Sequence, residues 1–111
     1  MKLPNGEFAI IDEDKLLNYI LDPLHREGRH HAELFWRLLG IDRGSWRSLY
    51  SALQTAARDG EAAEGKWSDF GVKYEVRFPM TSSRGTYTIV SIWMIRTGEV
   101  FARLVTAYVE K

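Results

Sequence analysis

Three histidines, His25, His30 and His31, fall within seven residues of one another. An imidazole changes charge near neutral pH, so each is a candidate proton carrier. A helix opening at Arg29, drawn on a wheel of about 100° per residue, places Leu34, Phe35, Leu38 and Leu39 on its apolar face. His31 falls near the centre of that face and His30 at its edge, beside Glu33 and Arg37. His31 is therefore expected to point into the fold from the first helical turn. The positive end of the helix there favours the neutral ring, which can act as a base. A half-buried histidine bonded to a backbone carbonyl is the competing reading. The spacing does not bring all three imidazoles to one face, and no HExxH pattern accompanies them, so no metal site is expected. Arg26, Arg29 and Arg37 surround the cluster. Arg29 is the best placed to hold a phosphate, while Arg37 reads as solvated.

The second group lies near the C-terminus. Thr106 and Tyr108, two residues apart in an extended run, share a strand face and can present two hydroxyls side by side. Opposite a histidine, such a pair can polarise a phosphodiester. Strict alternation puts Ala102 and Leu104 on that same face, with Phe101, Arg103, Val105 and Ala107 on the other. Arg103 then needs a counter-charge, either Glu75 or a ligand phosphate. The candidate catalytic residues are thus His31, His30, Thr106 and Tyr108, and the candidate substrate-binding residues are Arg29 and Arg103. No glycine-rich phosphate loop and no GxSxG elbow is present, and no cofactor is expected.

These groups must be positioned by two kinds of element. Asp12 caps a first helix carrying Leu16, Leu17, Ile20 and Leu21, which Asp22-Pro23 ends. After the loop LHREG, a second helix runs from about Arg29 to Leu39 and stops at Gly40. A third, capped by Asp42 or Ser45, carries Trp46, Leu49, Tyr50, Leu53 and Ala57 to Asp59-Gly60. The period then changes to two. Residues 61–68 form a weak strand and residues 72–79 an alternating one. TYTIVSIWMI is apolar on both faces, so it is central. Residues 100–109 form the last strand. Short turns at 68–71, 81–85 and 97–98 favour an antiparallel meander. The expected fold is α+β: about three N-terminal helices packed on one face of a four-stranded antiparallel sheet. Leu34, Leu38, Leu49, Leu53, Val76, Ile89 and Val105 are the expected core, and Trp36, Trp46, Trp67 and Trp93 are expected to be buried or half-buried.

The chain has 111 residues, 45% of them hydrophobic, with 15 basic and 15 acidic side chains. One globular domain over 1–111 is expected. Balanced charge argues against a protein that coats polyanions. The absence of cysteine excludes a disulfide framework, a thiol nucleophile and a cysteine-built zinc site. No run approaches a membrane span and no secretory segment opens the chain, so a cytoplasmic protein, or a domain that travels on a larger carrier, is expected.

MKLPNGEFAIID, LHREGRHHAELFWRLLG and IWMIRTGEVFARLVTAY together resemble a bacterial family, the domain-of-unknown-function family six-eight-eight-three. The resemblance covers nearly the whole chain. His25, Gly28, Ala32 and Phe35 match the first family motif; Arg26 replaces its proline, and His31 stands where lysine is usual. Arg103 to Tyr108 match the closing motif, and Val109 replaces its proline. The resemblance implies a small protein found alone or at the C-terminal tips of polymorphic toxins. A more distant likeness to the barnase–EndoU–colicin–RelE class implies a metal-independent ribonuclease acting on RNA, with His31 or His30 and Tyr108 or Thr106 moving protons. The alternative implied is a non-catalytic module that pairs with a small companion protein, antitoxin-like or immunity-like.

Overall fold

A computed structural model describes residues 1–110. Asp12 accepts the Asp14 backbone N–H at 2.9 Å and so caps helix α1. α1 comprises Glu13–Lys15 and a π-helical continuation Leu16–Ile20. Helix α2 comprises Arg29–Leu34 and a second π-helical stretch, Phe35–Leu39, ended by Gly40 at φ 70°. Asp42 and Ser45 form a reciprocal cap around the 3₁₀ turn Arg43–Ser45, which leads into α3, Trp46–Asp59. Four strands follow: β1 Ala62–Ser68, β2 Gly71–Ser82, β3 Gly85–Arg96 and β4 Ala102–Val109. They pair antiparallel in the order β1-β2-β3-β4. The protein is an α+β fold of three helices followed by a four-stranded meander. β3 is central, and its Ile89, Val90, Ser91 and Trp93 are fully buried.

The N-terminal segment belts the sheet. The Met1 carbonyl accepts from Ala62 N–H at 2.6 Å at the β1 edge. At the β4 edge, Ile10 donates to the Ala102 carbonyl at 2.8 Å and accepts from Leu104 N–H at 3.0 Å. This isolated Ile10–Arg103 bridge is parallel, although every strand-to-strand pairing is antiparallel.

The core is built from α1, α2, α3 and one sheet face: Leu16, Ile20, Phe35, Leu49, Leu53, Val76, Ile89 and Trp93 have no exposed surface. Leu34 and Leu38 are only half-buried, contrary to the wheel. Phe35–Leu39 is π-helical, and its i→i+5 hydrogen bonds widen the turn, so side chains beyond Leu34 depart from the wheel's constant step. Ala32, Phe35 and Leu39 therefore form the buried stripe of α2. Trp93 is core and Trp46 half-buried, but Trp36 and Trp67 are exposed.

Two bulges alter the expected alternation. In β1, Gly65 and Lys66 together oppose Lys73. In β4, Ile92 pairs with Thr106 and Trp93 with Leu104, so Val105 is the extra residue. An inserted residue inverts the phase of everything beyond it. Ala102, Leu104, Ala107 and Val109 consequently line the core, while Thr106 and Tyr108 face the other side of the sheet beside Ile92 and Val90. The expected sharing of one face by Leu104, Thr106 and Tyr108 is broken here, and Val105 is half-buried rather than core.

Candidate functional site

α2 lies along the β4 edge, and His31 makes the joint between them. Its Nδ1 lies 3.3 Å from the Ala107 carbonyl oxygen. A carbonyl only accepts, so Nδ1 carries the proton, and in the neutral ring Nε2 keeps its lone pair. The ring centroid is 5.6 Å from that of Tyr108 and 6.1 Å from that of Tyr19. Burial lowers the His31 pKa below the ordinary histidine value; the Ala107 carbonyl opposes that shift, and the charge of His30 adds to it. The fold thus favours neutral His31, chiefly through desolvation.

His25 is fixed differently. Its Nδ1 accepts the backbone N–H groups of Glu27 at 3.0 Å and Gly28 at 2.9 Å, closing the loop before α2. Its ring meets Tyr19 edge-on, with centroids 4.9 Å apart. Gly28 is buried against α1, and a Cβ there would fall 2.0 Å from the Tyr19 carbonyl oxygen. The close approach demands glycine at this step of the motif. Tyr19 links His25 to His31 in this aromatic row. The sequence does not single out Tyr19, because nothing in the local spacing of α1 brings it to the histidines.

The remaining candidates lie elsewhere. Thr106 Oγ1 is buried without a hydrogen-bond partner among the described residues. Arg29 and His30 line a groove of about 660 Å³ with Leu21, Pro23, Trp36 and Arg43. Arg103, four residues before Ala107 on β4, forms a two-pronged pair with Glu99, with Nε and Nη2 each 3.0 Å from a carboxylate oxygen. Its counter-charge is Glu99 rather than Glu75, which pairs with Arg77 at 2.9 Å. His31 and Tyr108 are therefore brought together, whereas Arg29 with His30, and Arg103 with Glu99, occupy separate surfaces. Among the described residues, no three His, Cys, Asp or Glu side chains are grouped to hold a metal.

Around Arg103 lies an apolar patch that the sequence reading missed. Ile10, Gly98, Val100 and Phe101 border a shallow depression of about 260 Å³ with the Arg103–Glu99 pair. Phe8 extends it, its ring centroid 5.7 Å from that of Phe101. Phe8 and Val100 are each 60% exposed. No linear motif announces the patch, because it joins the N-terminal belt to the β3–β4 turn.

Residues 2–111 match the family described as Domain of unknown function (DUF6883). No curated protein matches the chain. One similar solved structure is a chain of a "Contact-dependent growth inhibition toxin - immunity protein complex from Klebsiella pneumoniae 342". It is 13% identical, with TM-score 0.70, and the match covers 92% of this chain and 100% of that one. At that identity the likeness is one of fold. Among the described residues, no helix is long and apolar enough to cross a membrane.

Proposed function

From the premise that the chain belongs to the DUF6883 family, which fixes kinship but no chemistry, we propose a non-catalytic binding module that pairs with a small companion protein, as in toxin–immunity pairs. The exposed apolar patch of Phe8, Ile10, Val100 and Phe101 around Arg103 carries this reading. Contiguous apolar surface of this kind marks a recognition site when it combines aromatic anchors with an arginine. The Arg103–Glu99 pair keeps the guanidinium in one geometry at its rim. A similarly folded chain found in a toxin–immunity complex supports the same reading.

The test is co-purification with the protein encoded beside it, followed by calorimetry. A stoichiometric complex is expected. Phe8→Ala and Phe101→Ala should together weaken it by roughly thirtyfold or more, the loss of one interface hot spot. Their melting temperatures should stay near wild type, since both rings are exposed. Unchanged affinity in the double variant removes the patch from the proposal.

One observation favours a second reading, a toxin-like metal-independent ribonuclease. His31 keeps an unprotonated Nε2 beside Tyr108 while Nδ1 is anchored. In this reading His31 accepts the 2′-hydroxyl proton and Tyr108 donates one to the leaving oxygen. Thr106 or His30 would assist, and Arg29 or Arg103 would have to swing in to hold the phosphate. Induced expression of wild type and His31→Ala in bacteria, with growth and total RNA followed, separates the two. RNA decay that depends on His31 establishes the enzyme; identical RNA in both strains leaves the binding module.

A further inference from the structure

We propose that the groove against Trp36 is a binding site for a nucleotide-class ligand, with a base stacked on the indole and a phosphate held by Arg29 and Arg43. This surface shares no lining residue with the Phe8–Phe101 patch, and the inference stands apart from companion binding.

Trp36 is 50% exposed, yet it is held in place. The Arg84 guanidinium, reaching over from the β2–β3 turn, stacks 4.6 Å from the ring centroid. Its Nη1 also donates to the Trp36 carbonyl at 2.6 Å, which ties that turn to the end of α2. An indole fixed in this way and open to a groove is a stacking platform already in its binding conformation. The groove's volume, about 660 Å³, suits a small molecule of nucleotide size.

The charges around the groove set the ligand's chemistry. Arg29, His30 and Arg43 are in no ion pair among the described residues. Arg43 Nη2 donates to the neutral Asn18 Oδ1 at 3.0 Å, which positions the guanidinium without neutralising it. Two acidic groups also line the groove. Asp42 Oδ1 is already engaged by the Gly44 and Ser45 N–H groups, at 2.9 and 3.2 Å. Glu33 is exposed one helical turn before Trp36 and is in no ion pair among the described residues. A carboxylate beside a stacking face accepts N–H donors from a base edge. Guanine offers two neighbouring donors, whereas uracil offers one between two carbonyls. The ligand that satisfies platform, cations and carboxylate together is a nucleotide, with guanine preferred over uracil.

Calorimetric titration of the full chain with GMP, UMP, ribose 5-phosphate and a guanosine-containing RNA hexamer tests this. GMP should bind saturably, about tenfold or more tighter than ribose 5-phosphate and tighter than UMP. Trp36→Ala should weaken GMP by roughly five- to a hundredfold, the range for one base–aromatic stack. Because that variant also removes the Arg84 stack, its fold is checked by thermal melting. The exposed pair Arg29→Ala/Arg43→Ala is the second variant and should weaken GMP and flatten its salt dependence. A hexamer that binds more than about tenfold tighter than GMP identifies a single strand as the source; comparable affinity identifies the free nucleotide. Phe8→Ala/Phe101→Ala should leave GMP binding unaltered, so failure here is distinguishable from failure of the companion proposal. No saturable binding of GMP or hexamer overturns the site. So does GMP affinity equal to that of ribose 5-phosphate, or unchanged in folded variants of Trp36 or the two arginines.

Discussion

At the scale of single residues, His31 couples chemistry to stability. Its pKa in the fold is lowered, first by burial, so the folded state prefers the neutral ring more than the unfolded chain does. A depressed folded value means the stabilisation is complete above the unfolded value of about 6.5 and is lost as pH falls below it. The melting temperature should drop as pH goes from 7.5 toward 5, and the drop should shrink in His31→Gln, which keeps a donor for the Ala107 carbonyl. An identical pH slope in both proteins would place the sensitivity on other groups. Residue types announced part of this arrangement. The wheel put His31 on the inward side of α2, which it is. The hydrogen bond to an edge-strand carbonyl could not be read from spacing, because the acceptor is a backbone atom of a distant strand.

At the scale of elements, the two π-helical stretches and the β4 bulge decide which side chains are buried. The apolar face of α2 was legible from Leu34, Phe35, Leu38 and Leu39, but its centre was not. An α-helical wheel assumes a constant turn, and Phe35–Leu39 departs from it. Phe35→Ala should therefore cost about 3–5 kcal/mol, as for a fully buried aromatic. Leu38→Ala, at a half-buried position, should cost less than about 2 kcal/mol. Chemical denaturation of both variants checks this, and equal losses would contradict the shifted stripe. In β4, the residues that compose a bulge are ordinary strand formers, so a period-two reading passes straight through Val105. The extra residue is detectable only against the partner strand, where Ile92 and Trp93 skip it.

At the scale of the whole molecule, the first ten residues tie the two edges of the sheet together. Met1 hydrogen-bonds beside β1 and Ile10 beside β4, while Leu3 is buried in between. Unpaired edges template pairing with other chains. Deleting residues 1–10 should lower the melting temperature by about 10 °C, as expected for a loss of roughly 2 kcal/mol in a domain of this size. It should also raise light scattering on heating. A truncated protein that melts and scatters like the full chain would show the belt to be dispensable.

The local pattern by itself determined the order of helices and strands, the caps at Asp12, Asp42 and Gly40, the central place of β3 and the antiparallel meander. These follow from periodicity, turn chemistry and short connections, which act over a few residues. Only the tertiary structure decided that Thr106 and Tyr108 turn away from the core, that Arg103 answers Glu99, and that Phe8 meets Phe101. It likewise placed Arg29, His30 and Arg43 around an indole propped by Arg84. Each of these depends on where one segment lies against another far away in sequence. Such placement is set by burial and by the phase of bulges and helical turns, quantities that no local spacing encodes.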